Sequence, residues 1–132
     1  EMIEGTVALA DLPEIWDARM REFLGVEVPH VGDGVLQDVH WSGGGIGYFP
    51  TYTLGNLYAA QLMEAARCDL GDLDADFRRG EFGRLKGWLT ENVHRHGQRY
   101  RANDLCARAT GQPLSPKPFL TYLKAKYEPL YS

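Results

Sequence analysis

The chain has 132 residues, 44% hydrophobic and 24% charged, the make-up of one ordinary globular domain. Its formal net charge of -4 gives no electrostatic reason to bind nucleic acid. No apolar run approaches the ~20 residues that span a bilayer and no signal-peptide pattern stands out, so no membrane partner is expected.

The chain opens on a glutamate, and Glu1-Met2-Ile3-Glu4-Gly5 reads as the last turn of a helix that Gly5 stops. With no start methionine at position 1, a cut or truncated part of something longer is expected. Asp11 stands where it could cap a helix whose first turn tolerates Pro13. Ile15, Trp16, Arg19, Met20, Phe23 and Leu24 then recur at helical spacing until Gly25. Val26 to Gly34 holds Pro29, Gly32 and Asp33 and reads as a loop. Val35 to Trp41 is ambiguous between a helical turn and an extended piece.

Ser42-Gly43-Gly44-Gly45-Ile46-Gly47 must be irregular, because glycines at this density make regular structure costly. A helix restarts at Pro50 or Thr51 and should run to about Cys68, with Leu54, Leu57, Tyr58, Leu62 and Ala65 as its apolar face. After a turn at Gly71 comes a short helix from about Asp74 to Arg79. A longer helix follows from Phe82 to His96, with Phe82, Leu85, Trp88, Leu89 and Val93 inward. Asn103 is expected to cap a short helix ending near Ala109. Ser115 caps the last helix, with Phe119, Leu120, Leu123 and Tyr127 as its stripe. No hairpin signal or repeat appears, so the fold class is all-α, a single helical domain or fragment over residues 1–132.

Two cysteines, Cys68 and Cys106, each fall in a predicted helix, where a cysteine is usually a small buried apolar group. They form no metal-type pair, and a reducing, cytoplasmic setting fits them. His94 and His96 stand i and i+2 apart, so on a helix they face apart and cannot chelate one ion. Arg95, Arg99, Arg101 and Arg108 read as a solvated surface, and Trp16 and Trp88 as core packing.

Residues 34–52 carry the chemistry, packing Gln37, Asp38, His40, Tyr48 and Tyr52 around the glycine-rich bend. A histidine or tyrosine can donate a hydrogen bond to an oxyanion, and a neighbouring carboxylate can fix the imidazole tautomer. Glycines let backbone approach a substrate without a Cβ in the way. The alternative is a packed loop in which these polar groups only satisfy buried backbone. The glycine run is neither a phosphate loop, lacking Gly-Lys-Ser/Thr, nor a dinucleotide fingerprint, lacking βαβ context.

Gly34, Gln37, Asp38, His40 and Trp41 occupy every fixed position of a Gly-x-x-Gln-Asp-x-His-Trp motif. In this the chain resembles the carboxypeptidase Taq family of zinc metallocarboxypeptidases. Gly47 through Tyr58, His94-Arg95-His96-Gly97, Ala109-Thr110-Gly111 and Tyr122 through Tyr127 also look like that family, so the resemblance covers essentially the whole chain. It implies a mostly helical, usually homodimeric enzyme that removes single residues from peptide C-termini. Zinc is held there by a His-Glu-x-x-His helix and a later glutamate, and an arginine segment is thought to take the substrate's carboxylate. This sequence has none of those elements, all of which lie N-terminal to the first motif in the family.

The resemblance therefore implies the C-terminal part of such an enzyme. Zinc belongs to the intact parent, and no cofactor is expected in this chain. Carried over by position, His40 becomes a candidate substrate or oxyanion contact, Asp38 or Gln37 an orienting group, and Tyr48 or Tyr52 the phenolic donor. The expected partners are a peptide C-terminus and a second copy of the protein. The competing reading is a stand-alone helical docking or dimerisation module without chemistry.

Overall fold

The computed structural model describes residues 1–131. They form six α-helices joined by turns and short 3-10 segments, with no strand among the described residues, as the sequence pattern predicts. The helices are α1 (Leu12–Leu24), α2 (Pro50–Leu70), α3 (Leu73–Arg78), α4 (Gly83–Asn92), α5 (Ala102–Thr110) and α6 (Lys117–Tyr131). The chain divides into two compact units, one over Glu1–Phe49 and one beginning at Pro50.

In the first unit, residues before α1 form a turn, not a helix. Its hydrogen bonds, Gly5 N to Met2 O and Thr6 N to Glu1 O, are nevertheless those of a helix-ending turn, with Gly5 at φ 73°. α1 starts at Leu12 after a 3-10 turn, with Pro13 in its first turn. Asp11 has a helical backbone and no capping hydrogen bond, because the 3-10 turn already supplies the helical entry. Gly25 ends α1 in the left-handed region, donating to the carbonyl of Arg21.

The second unit is organised on α2, which packs against α4, α5 and α6. Its core is Ala66, Leu73 and Trp88, flanked by Leu62, Met63, Leu70, Phe77, Leu85 and Leu89. Ala66 lets α4 approach closely enough for Trp88 to reach across and donate its indole N–H to Asp69 at 2.7 Å. α3 is capped by Asp72, which accepts from the backbone N–H of Ala75. Asp76 is buried but accepts from Arg79 at 2.6 Å and Arg84 at 2.8 Å, so its charge is compensated.

Several expected inward positions shift. Leu54 at the start of α2 is exposed, and the helix instead buries Gln61 and Ala66. Phe82 is exposed and stacked on Phe77 at 5.6 Å, because it precedes α4 and escapes the helix's own facing. α4 ends at Asn92, and His94–His96 form a separate 3-10 turn. Asn103 lies inside α5, and its side chain accepts from the backbone N–H of Leu114. Ser115 does cap α6, accepting from the N–H of Lys117 at 3.2 Å. Leu120 and Tyr127 of α6 remain substantially exposed. Of the two thiols, Cys106 is buried as expected and Cys68 is exposed.

Gln61 joins α2 to the α5–α6 connection. Its amide nitrogen donates to Thr110 Oγ1, Gln112 O and Pro113 O, while its oxygen accepts from Ser115 N at 2.9 Å. A buried amide so engaged is costly to remove, because its partners are left without substitutes. Gln61→Leu should therefore destabilise the chain by about 1–3 kcal/mol in urea unfolding. An unchanged midpoint would show that the connection is held by other contacts.

Candidate functional site

The site is built on the loop that follows α1. Gly34 is buried where that loop meets α1, and a Cβ there would lie 2.9 Å from Val28 Cγ1 and 3.0 Å from Asp17 Oδ1. Only glycine permits this approach without displacement. Val35–Gln37 make one 3-10 turn, and the Gln37 side chain folds back to donate to Gly32 O at 2.6 Å. Gln37 thus closes its own loop and is itself exposed.

At Asp38 the backbone leaves helical geometry, with φ -83° and ψ 89°, and the side chain turns inward to 8% exposure. Its carboxylate then gathers three donors. Oδ1 accepts from the backbone N–H of His40 at 3.1 Å and lies 2.7 Å from His40 Nδ1. Oδ2 accepts from the indole N–H of Trp41 at 2.5 Å. Burial pushes the Asp38 carboxyl up. The bonds from His40 and Trp41, with the charge of a protonated His40, outweigh that and hold it below its ordinary value.

A carboxylate only accepts, so the proton between it and His40 resides on Nδ1. Nε2 is then the nitrogen through which the ring acts on anything further. A neutral ring accepts there, and a doubly protonated ring donates. With Nδ1–H held by Asp38, only the doubly protonated ring can donate to an oxyanion.

The glycine bend folds back on the same histidine. The His40 carbonyl accepts from Gly43 N at 3.1 Å and Gly45 N at 2.8 Å, and Gly44 makes the return possible at φ 77°. A Cβ at Gly45 would sit 3.2 Å from that carbonyl oxygen. The bend delivers Tyr48 to the His40 ring, with centroids 5.0 Å apart, and Phe49 follows at 5.8 Å. Asp38, His40 and Tyr48 are thus brought together.

Tyr52 belongs to the other unit, on the first turn of α2, where it is 56% exposed. Because α2 begins at Pro50, Tyr48 precedes the helix and the two tyrosines do not share a helix face. Trp41 is the site residue whose role the sequence reasoning missed. The signal was present in an indole donor three positions after an aspartate.

A family model described as "Carboxypeptidase Taq (M32) metallopeptidase" matches residues 1–127. The chain belongs to the carboxypeptidase Taq (M32) family. Among curated relatives of this M32 chain, "Thermostable carboxypeptidase 1" of Thermus thermophilus is 48% identical over 98% of it. "Carboxypeptidase 1" of Bacillus subtilis is 46% identical over 95% of it. The M32 carboxypeptidase of Deinococcus radiodurans R1 superposes with a TM-score of 0.90 at 48% identity, covering 99% of this chain and 27% of that one. Trypanosoma cruzi metallocarboxypeptidase 1 gives a TM-score of 0.87 at 37% identity, covering 96% and 27%. The chain spans 26% and 25% of the lengths of the two curated relatives, about a quarter, in keeping with the C-terminal part that the motifs imply.

Among the described residues no group of three or more His, Cys, Asp and Glu could hold a metal ion. His30 pairs with Asp33 at 2.9 Å on the exposed loop, away from any third ligand. No helix of the described residues is long and apolar enough to cross a membrane. Arg95, Arg99, Arg101 and Arg108 are all exposed, and Arg108 lies over the Tyr100 ring at 4.6 Å.

Because the folded Asp38 carboxyl lies below its ordinary value, its contribution to stability is full above about pH 3.9 and lost as pH falls through the folded value. Comparing Asp38→Asn with the unaltered chain tests this. The stability gap seen by urea unfolding at pH 6 should shrink towards the most acid pH at which the chain stays folded. A gap independent of pH would mean the carboxylate's charge is not what holds the loop.

Proposed function

We propose that this chain is the C-terminal part of a zinc-dependent metallocarboxypeptidase that removes residues from peptide C-termini. Its share of the site is contact with substrate and with the developing oxyanion. His40 makes that contact, and Tyr48 and Tyr52 are the candidate phenolic donors. Asp38 orients His40 directly, whereas Gln37 acts on the same loop through Gly32.

The observation that carries this reading is the buried Asp38 carboxylate set 2.7 Å from His40 Nδ1. A loop residue needed only for packing has no use for a carboxylate that fixes a histidine's tautomer and leaves the ring 23% exposed. Family membership supports the peptidase class, and the relatives bear carboxypeptidase names. Zinc and the homodimer rest on the resemblance, the cytoplasmic compartment on the two free cysteines, and all three belong to this proposal.

The described residues do not fit a metal, so the chemistry derived for this chain is that of its own side chains. Amide hydrolysis builds negative charge on the former carbonyl oxygen. A doubly protonated His40 donating from Nε2 meets that charge more strongly than it meets the neutral carbonyl, which stabilises the transition state selectively. The same donor geometry serves the terminal carboxylate of a peptide. A tyrosine hydroxyl adds a second neutral donor, and the Tyr48 ring already stands beside the imidazole.

In a protein of the relatives' full length that carries this chain, His40→Ala should lower kcat by about 10²–10³ while folding and metal content stay unchanged. Full activity in that variant would reduce the loop to packing. Tyr48→Phe and Tyr52→Phe compared in the same protein would identify the phenolic donor by the larger loss. The 132-residue chain alone should bind no stoichiometric zinc by elemental analysis. One tightly held zinc per chain would contradict the division of labour proposed.

A further inference from the structure

The motif's tryptophan has no part in the chemistry above, yet it holds the free side of the carboxylate that orients His40. We propose that Trp41 is a positioning residue for His40, acting through the second oxygen of Asp38, and that Trp16 on α1 keeps the Trp41 indole in place. The inference rests on the reading of His40 as a substrate contact, but its geometry does not.

The Cβ–Cγ torsion of an aspartate is intrinsically broad, so each bond that the carboxylate accepts helps to fix its plane. The backbone N–H of His40 and its ring both bind Oδ1 and so hold the carboxylate from one side only. Trp41 Nε1 binds Oδ2 at 2.5 Å and fixes the plane from the other side. An indole N–H is a donor only, so it matches the ionised carboxylate and cannot substitute for the histidine by accepting a proton. With Asp38 8% exposed, water is poorly placed to replace the indole.

The indole is in turn seated by α1. Trp16 and Trp41 meet edge to face, with centroids 6.3 Å apart and planes at 77°. Trp16 Nε1 is buried with no hydrogen-bond partner among the described residues. An indole that would gain by turning its N–H elsewhere is held by packing instead. Gly34 lies beside the same ring, its Cβ position 3.6 Å from Trp16 Cδ1, an ordinary contact distance. The chain of contact is thus α1, Trp16, Trp41, Asp38 and His40, all inside the first unit.

The test is long-range 1H–15N correlation NMR on the His40 ring of this chain, at a pH where the ring is neutral. The unaltered chain should hold the Nδ1–H tautomer in clear excess. Trp41→Phe keeps the ring against Trp16 and removes only the donor, and it should lower the tautomer ratio about fivefold, the scale of one hydrogen bond. An unchanged ratio in a folded Trp41→Phe chain would overturn the proposal.

Should that variant fail to fold, the unaltered chain decides. Its Trp41 indole proton should exchange slowly with solvent and shift as His40 titrates through the shared carboxylate. Fast exchange without that response would equally overturn the proposal. In a protein of the relatives' length, Trp41→Phe should lower kcat about tenfold with KM held, as expected for misplacement of a catalytic group. Unchanged kcat beside a changed tautomer would overturn the functional part. Loss of the His40→Ala effect would instead strike the peptidase reading, and the tautomer result would stand apart from it.

Discussion

The carboxylate of Asp38 is almost withdrawn from water, yet it accepts from the His40 ring, the His40 backbone and the Trp41 indole at once. A buried carboxylate is tolerated only when such donors replace its hydration. That requirement shapes the loop around it. The backbone must leave helical geometry at Asp38, resume it at His40, and then bend through glycines so that His40's carbonyl can be answered by Gly43 and Gly45. The imidazole's orientation follows from these constraints, and so does the nitrogen it can offer to a ligand.

The second unit meets a different problem, the joining of helices with short or sparse apolar faces. α6 buries no residue completely and α2 buries an amide beside an alanine. Directed polar contacts therefore supplement the small apolar core. Gln61 binds the α5–α6 connection, Asp69 receives the Trp88 indole, and Asp76 gathers two arginines. Such bonds specify one arrangement of helices where apolar contact alone would permit several.

Much of this was legible in the sequence. Apolar recurrence at helical spacing marked α1, α2 and α6, and Gly25, Gly71 and Gly111 marked ends that they do supply in the left-handed region. The Gly-x-x-Gln-Asp-x-His-Trp motif located the Asp38–His40 pair, because an aspartate two residues from a histidine can reach Nδ1. The rest depended on contacts that periodicity does not encode. Gln61 was invisible as a core residue because a polar side chain is buried only if distant carbonyls await it. Asn103 looked like a cap, but tertiary structure offered it the Leu114 N–H instead. Pro129 sits inside the last turn of α6, where an apolar stripe gives no warning of it. Trp41 was read only as a motif position, since its role requires Asp38 to be turned inward first.

The central claim is that Asp38 presents His40 to a peptide's C-terminal region. Its most direct test is a crystal structure of a full-length protein carrying this chain, bound to a non-hydrolysable peptide analogue. The account predicts a ligand oxygen within about 3 Å of His40 Nε2, with Nδ1 still on Asp38. A bound analogue with His40 keeping only protein partners would contradict it.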